Sequence, residues 1–105
     1  MDLKNVNAFI HVAETNSFTR AAERLEYAQS TITAQIQTLE AELGVELFIR
    51  RGKRISLSVA GQMFLPYAYQ FQALHQDVHA RFSRDTELSG EYRIGILESI
   101  STASY

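Results

Sequence analysis

Apolar positions in the first 44 residues recur at helical spacing in three short segments. Asp2 and Ser17 are candidate N-caps of the first two helices, and Gly44 is a candidate left-handed end of the third. Residues 26–28 leave room only for a tight connection between the second and third helices. The positions expected to face inward are Leu3, Val6, Phe9, Ile10 and Ala13, then Phe18, Ala21, Ala22 and Leu25, then Ile32, Ile36, Leu39 and Leu43. The pattern predicts a compact three-helix unit.

The period changes after Gly44. Residues 47–50 and 54–57 have the composition of short strands, and they flank residues 51–53, where a glycine suits a hairpin turn. A hairpin that follows a three-helix unit is typical of a wing. We therefore expect a mainly α chain: a winged helix-turn-helix over residues 1–58, followed by a long helix.

The long helix is expected to begin after the candidate cap Ser58 and to run to about Thr86. Its apolar positions alternate in spacings of three and four, as in a heptad seam. They are Phe64, Tyr67, Phe71, Leu74 and Val78. These residues could belong to the chain's own core, but so short a chain offers little surface to cover them, which favours dimerisation through residues 59–88. Pro66 is expected to kink the helix or to delay its start.

The composition narrows the class of protein. The chain has 105 residues and no cysteine, which excludes a disulfide framework, a thiolate zinc finger and a cysteine nucleophile. The first residues do not have the pattern of a signal peptide, and no apolar run has the length of a membrane span. We expect a cytoplasmic protein of one small domain and an appended element, with no membrane partner.

The charge is concentrated in one place. A net charge of −2 is unusual for a general nucleic-acid binder. The predicted hairpin, however, carries a dense basic cluster, which consists of Arg50, Arg51, Lys53 and Arg54. Such a cluster can be an ordinary solvated turn, but at the tip of a wing it favours binding of a polyanion at this one site.

Residues 18–32 have the spacing of a helix-turn-helix, in which the small Ala22 lets two helices cross closely. The third helix would then begin with polar side chains that point away from the core: Gln29, Ser30, Thr31 and Thr33. Short hydroxyl and amide side chains suit hydrogen bonds to base edges and phosphates in a major groove. Taken alone, the same residues could be surface polar positions of any helix.

At these positions the chain resembles the LysR-type transcriptional regulators of bacteria. The resemblance covers residues 1 to about 88. The residues that carry it are Phe9, Ser17, Phe18, Thr19, Ala21, Ala22, Leu25, Gln29, Ser30, Gln35, Ile36, Leu39, Glu40, Leu43, Gly44, Leu47, Phe48, Arg50, Arg54, Leu57 and Gly61.

The resemblance implies sequence-specific binding of double-stranded DNA, with the third helix in the major groove and the wing on an adjacent minor groove. The positions it implies for DNA contact are Ser17 and Thr19 on phosphate, Gln29, Ser30, Thr31, Thr33 and Ala34 on the third helix, and Arg50 and Arg54 on the wing. The basic cluster adds Arg51 and Lys53 to the wing, and Gln37 is a further candidate on the third helix. The family often has serine at Ala28, proline at Ser30 and arginine at Ala34. The absence of an arginine at Ala34 shifts base recognition to the remaining polar residues.

The resemblance also implies that the long helix is a linker that pairs antiparallel with a second subunit and so forms a homodimer. The choice between dimer and tetramer at full length stays open. Residues 89–105, with a predicted strand at 92–97, resemble the start of an effector-binding α/β domain. Because only its opening is present, we expect no cofactor and no effector binding by this chain.

Two alternatives stay open from the residues alone. The chain could be a helical protein-interaction module that dimerises through residues 59–88 without binding DNA, as its negative charge and Ala34 suggest. An enzyme is disfavoured because no nucleophile–base pair, paired-carboxylate cleft or glycine-rich phosphate loop is present. His75 and His79 have the spacing of a metal pair, with Asp77 between them, but no third ligand is near in sequence, so no metal is expected.

Overall fold

The computed structural model describes residues 1–89, and the side chains of residues 1–83. The elements in chain order are helices α1 (Leu3–Thr15), α2 (Phe18–Leu25) and α3 (Gln29–Leu43), strands β1 (Phe48–Arg51) and β2 (Arg54–Leu57), and helix α4 (Val59–Ser89). This architecture confirms the predicted fold class. The strand predicted at residues 92–97 lies outside the described residues. No helix in the described range is long and apolar enough to cross a membrane.

The ends of the helices follow local chemistry. Asp2 accepts a hydrogen bond from the Lys4 amide, and Ser17 accepts one from the Arg20 amide, so both predicted N-caps are confirmed. Gly44 ends α3 with φ of +71°, also as predicted. The end of α2 was not foreseen in detail: Glu26 adopts the left-handed conformation with φ of +60°, although it has a side chain.

The core lies where α1, α2 and α3 meet. Its buried residues are Val6, Ala8, Phe9, Ile10, Val12, Phe18, Ala21, Ala22, Ile32, Ile36, Leu39, Leu47, Phe48 and Ala68. Phe9 lies at its centre, with ring centroids 5.4 Å from Phe48 of the hairpin and 5.1 Å from Phe64 of α4. Two of these aromatic residues come from outside the three-helix unit, so the hairpin and α4 complete a core that the three helices leave open.

The hairpin differs by one residue from the sequence-based prediction. Its strands pair antiparallel from Phe48↔Leu57 to Arg51↔Arg54, which leaves Gly52 and Lys53 as a two-residue turn. Gly52 has φ of +61°, as the first central position of a type II′ turn requires. Leu47, predicted to begin the first strand, instead precedes it and is fully buried.

Helix α4 begins before Pro66, so the predicted late start of the helix at that proline is not observed. The Gly61 amide donates to Ser58 Oγ over 2.9 Å, so Ser58 caps the helix as expected. The helix begins at Val59 and continues through Pro66, which excludes a late start at that residue. Chain contacts divide the molecule into two compact units, Met1–Ala73 and Leu74–Tyr105, and the division lies inside α4.

The expected heptad seam is divided. Phe64 and Phe71 are half-buried and pack against the chain's own core, so the chain itself supplies opposing surface that the sequence argument took to be missing. Their assignment to a seam that faces a second copy stays a prediction. Tyr67, Leu74 and Val78 are exposed, as that argument requires.

Candidate nucleic-acid interface

The starts of α2 and α3 lie side by side. Thr19 Oγ1, in the first turn of α2, donates a hydrogen bond to Oε1 of Gln29, the first residue of α3, over 3.1 Å. Both side chains are exposed. The crossing that brings them together depends on Ala21 and Ala22, which are buried and small. The bond joins residues ten positions apart, and no sequence pattern had indicated it.

The polar face at the start of α3 is open to solvent. We call it the recognition face, and its residues are Gln29, Ser30, Thr31, Thr33, Ala34 and Gln37. All are exposed except Thr33, which is half-buried. Ala28, the N-cap residue, makes no side-chain hydrogen bond to the helix. The backbone amides of Gln29 and Ser30 therefore keep their donors, while the Thr31 amide donates to the Ala28 carbonyl over 3.0 Å. The positive end of the helix dipole is uncovered.

The hairpin places its basic side chains in solvent. Arg50, Arg51, Lys53 and Arg54 are all exposed. The guanidinium carbon of Arg50 lies 5.0 Å from the centroid of the Phe18 ring, which is a cation–π contact with the first residue of α2. A shallow groove beside the hairpin is lined by Asn16, Arg51, Lys53, Arg54, Ile55 and Ser56. The basic cluster thus adjoins the α1–α2 connection.

Two sets of hydrogen bonds hold the root of the hairpin. Glu40 Oε2 of α3 accepts from the Leu47 amide over 2.8 Å. On the other side, the Ser58 hydroxyl donates to the Glu46 carbonyl over 2.6 Å, and the Ser58 amide donates to the Leu47 carbonyl over 2.9 Å. The hairpin is therefore tied to α3 and to the start of α4, so its tip is presented from a fixed base.

Ser17 and Thr19 differ in whether the hydroxyl proton is still available for a hydrogen bond to phosphate. Ser17 Oγ accepts from the Arg20 amide over 3.0 Å, which leaves its proton available to a further acceptor. The proton of Thr19 is already donated to Gln29. Of these two predicted phosphate contacts, only Ser17 retains a free donor in this arrangement.

A polar cluster that the sequence did not reveal joins α1, α2 and α4. Glu14 Oε1 accepts from Arg24 Nη2 over 2.9 Å, and Glu14 Oε2 accepts from the Tyr69 hydroxyl over 2.6 Å. The Tyr69 hydrogen bond and then Arg24 hold the pKa of Glu14 below its ordinary value. The same bond raises the pKa of Tyr69. Gln72 adds a second link, donating to Asn7 Oδ1 over 2.9 Å.

The first half of α4 also carries an exposed apolar side. Its large residues are Val59, Met63 and Tyr67, which are 65–72% exposed and recur every four positions. In the second unit, Leu74 and Val78 are 63% and 46% exposed. Val59 and Met63 were missed because the heptad argument started from Phe64; a four-residue repeat of apolar side chains was the signal that could have found them.

The two histidines of α4 stack on each other. The ring centroids of His75 and His79 are 4.4 Å apart, with an angle of 25° between the rings. Among residues 1–83, whose side chains the structure describes, no group of three or more histidine, cysteine, aspartate or glutamate side chains is arranged to hold a metal ion.

Comparison with known proteins places this geometry in a family. Residues 3–62 match the family described as bacterial regulatory helix-turn-helix protein, lysR family. The HTH-type transcriptional regulator YwqM of Bacillus subtilis is 42% identical over 97% of this chain and 35% of its own length. The HTH-type transcriptional activator IlvY of Salmonella typhimurium is 36% identical over 90% of this chain and 32% of its own. The chain thus spans about a third of the length of these relatives.

The fold has solved counterparts as well. A crystal structure of the complex of CbnR_DBD with DNA superposes with a TM-score of 0.75 at 38% identity, and it covers 81% of this chain and 98% of its own. The family match extends over the three helices, the hairpin and the first residues of α4. The chain belongs to the LysR family of bacterial regulatory helix-turn-helix proteins.

Proposed function

We propose that this chain binds double-stranded DNA sequence-specifically as the DNA-binding part of a transcriptional regulator. The observation that carries the proposal is that two neighbouring residues of α2 bridge to different elements. Phe18 contacts Arg50 of the hairpin, and Thr19 contacts Gln29 of α3. These two contacts join the basic hairpin, the start of α2 and the start of α3 into one continuous surface. That a protein of similar fold and 38% identity has been crystallised in complex with DNA supports the same use of this surface.

Within this surface, base contacts and phosphate contacts fall on different elements. The recognition face of α3 has hydroxyl, amide and methyl groups, which suit base edges in a major groove. The hairpin has Arg50, Arg51, Lys53 and Arg54, which suit phosphates and an adjacent minor groove. Ser17 and the uncapped first turn of α3 add neutral donors for phosphate oxygens. Affinity then comes mainly from the hairpin, and discrimination between sequences from α3.

We further propose that α4 pairs with the α4 of a second copy through residues 59–88. The exposed apolar side chains of α4 support this pairing, and they are Val59, Met63 and Tyr67 in the first unit, and Leu74 and Val78 in the second. A homodimer would present two recognition helices, as a partly palindromic site requires. Residues 89–105 would open an effector-binding domain, through which a full-length protein could form tetramers.

The role proposed is regulatory rather than catalytic, since the named relatives are transcriptional regulators. Such a protein would act in the bacterial cytoplasm, on the nucleoid. No cofactor is required for the contacts described. A small-molecule effector would belong to the domain that residues 89–105 begin.

The experiment that tests DNA binding is a fluorescence-anisotropy titration at several salt concentrations. It compares the duplex upstream of the protein's own gene with a scrambled duplex. Tighter binding to the native duplex, with affinity falling steeply as salt rises, is expected of a site-specific binder that displaces counterions from phosphates. Equal, salt-insensitive binding to both duplexes would contradict the proposal.

The negative net charge favours a second candidate, a dimeric protein-interaction module without DNA binding. Replacing Arg50 and Arg54 together by alanine separates the two candidates. If the chain binds DNA, the affinity of the double variant for duplex DNA should fall. If the chain is only an interaction module, the double substitution should change none of its activities. Sedimentation of Leu74→Glu against the control Gln76→Glu then tests the pairing of α4, because Gln76 lies on a different side of the helix. Only the leucine variant should shift toward monomer.

A further inference from the structure

The side-chain amide of Gln29 is held in one orientation by the neighbouring helix. Thr19 Oγ1 donates to Gln29 Oε1 over 3.1 Å. Thr19 lies one residue after the start of α2, whose N-cap is Ser17, and Gln29 is the first residue of α3. The backbones of both residues are already fixed, because they belong to helices that pack against each other. The hydrogen bond therefore needs to restrain only the side-chain torsions of Thr19 and Gln29. The amide oxygen therefore faces α2, and Nε2 lies on the opposite side of the amide group.

This orientation decides which groups Gln29 can offer to a base. A glutamine amide has one acceptor oxygen and two N–H donors. A paired contact with adenine uses both kinds, because the oxygen accepts from N6 while the nitrogen donates to N7. The oxygen keeps a second lone pair, but the bond from Thr19 turns it toward α2. The two donors on Nε2 are therefore the groups directed away from α2, and they would oppose the N6 donor of adenine.

We infer that Gln29 reads a base edge that offers acceptors only, either guanine through O6 and N7 or thymine through O4. Thr19 is the residue that sets this preference. The inference rests on the proposed function, since it assigns chemistry within the recognition face. It goes beyond that function because it names the kind of base and the residue that selects it.

The inference also changes the role of Thr19. Phosphate oxygens accept hydrogen bonds, and a threonine hydroxyl has one proton. A Thr19 hydroxyl that donates to Gln29 has no proton left for phosphate, so Thr19 acts on DNA through Gln29. It is a positioning residue, whereas Ser17 keeps a proton for direct contact.

The test is selection from a library of random duplexes with the 105-residue chain, followed by sequencing of the bound fraction. Gln29→Ala identifies the base pair that Gln29 reads, because preference at that pair alone should fall by about tenfold. Thr19→Val keeps the shape but removes the hydroxyl, and it should relax preference at the same pair. Thr19→Ser should restore it. A merely structural role of Thr19 would weaken binding evenly across the site and leave the pattern of preference unchanged.

Base analogues then show which base of that pair is read. If the pair is G·C, 7-deazaguanine, which lacks the N7 acceptor, should lower affinity. If the pair is A·T, 7-deazaadenine should leave affinity unchanged, because thymine is the base read. The Gln29→Ala variant should be indifferent to either analogue.

Several outcomes would overturn the inference while leaving DNA binding in place. For the analogues, these are a loss of affinity with 7-deazaadenine at an A·T pair, or no loss with 7-deazaguanine at a G·C pair. For the variants, they are an unchanged base preference in Thr19→Val, or a Gln29→Ala variant whose enriched sequences match those of the wild type at every pair. If the wild-type chain enriches no sequence at all, sequence-specific DNA binding itself fails, and the inference fails with it.

Discussion

The hydroxyl of Tyr69 on α4 donates a 2.6 Å hydrogen bond to Glu14 on α1, 55 residues earlier in the chain. The other carboxylate oxygen of Glu14 accepts from Arg24 on α2. One carboxylate of α1 therefore links α4 to α2. Because the cluster is largely exposed, solvent screening limits its contribution to stability.

Replacing Tyr69 by phenylalanine should lower the free energy of unfolding at pH 7 by less than about 1 kcal/mol. The deficit should shrink in acid. The bond holds the pKa of Glu14 below its ordinary value of 4.5, so its stabilisation is present above that pH and is lost as pH falls through the lower value in the folded state. Urea unfolding of the variant and the wild type at pH 7 and pH 3 measures the deficit and its decrease in acid. Tyr67→Phe, at an exposed position, is the control. A deficit that grew in acid would contradict this reading.

His11 should give the chain a second, higher region of acid sensitivity. Burial and then the charge of Arg24 lower the pKa of His11 below 6.5, against an opposing effect of Glu14. The unfolded chain therefore takes up the proton first, and stability falls as pH drops below about 6.5. In His11→Leu, the loss between pH 7.5 and 5.5 should be smaller than in the wild type. Parallel pH profiles of the two proteins would show that His11 has no part in it.

Gly61→Ala should destabilise the fold by roughly 2 kcal/mol, as overpacking does. A Cβ at this position would run into the Leu47 carbonyl oxygen and lie 2.9 Å from Leu57 Cδ2. The intrinsic preference of helices for alanine would otherwise favour the substitution by about 1 kcal/mol. Thermal unfolding measures the effect, and Gln62→Ala, at the next and exposed position, should be nearly neutral. Equal melting temperatures for the two variants would refute the close contact.

Glu26→Gly should stabilise the chain by about 0.5–1 kcal/mol, because glycine adopts a positive φ without the strain imposed by a Cβ. Glu26 ends α2 at φ of +60°. Asn16 ends α1 at φ of +54°, and asparagine tolerates this region better. Asn16→Gly should therefore gain less than Glu26→Gly in the same denaturant titration. The reverse order would argue against backbone strain at Glu26.

Arg54→Ala should weaken binding to every duplex and reduce the slope of log affinity against log salt by about one phosphate contact. Gln29→Ala should instead lower the affinity for the cognate duplex more than for a scrambled one. Lys4→Ala, which removes a basic residue outside the proposed interface, should leave both quantities unchanged. Equal losses on both duplexes for Gln29→Ala would remove Gln29 from base recognition.

The sequence predicted what depends on local chemistry. Asp2, Ser17 and Ser58 were expected as caps, and Gly44 as a stop, because each acts on backbone groups within a few residues of itself. The polar start of α3 and the basic hairpin followed from the period of the apolar residues. These features position the candidate site, so most of it could be found without coordinates.

What the sequence could not predict depends on distant partners. The heptad period of α4 shows that Phe64 and Phe71 face an apolar surface, but not whether that surface is α1 of the same chain or a second copy. The contacts of Thr19 with Gln29 and of Glu14 with Tyr69 depend on side-chain positions across packed helices. No spacing rule links residues that are ten or 55 positions apart.

The exposed basic hairpin also bears on how the chain would meet its target. Outside positions 50–54, acidic residues outnumber basic ones. A polyanion therefore attracts the hairpin and repels much of the remainder, which exerts a torque on the approaching molecule. Diffusional encounters should be biased toward hairpin-first collisions, so added salt should slow association more than it speeds dissociation.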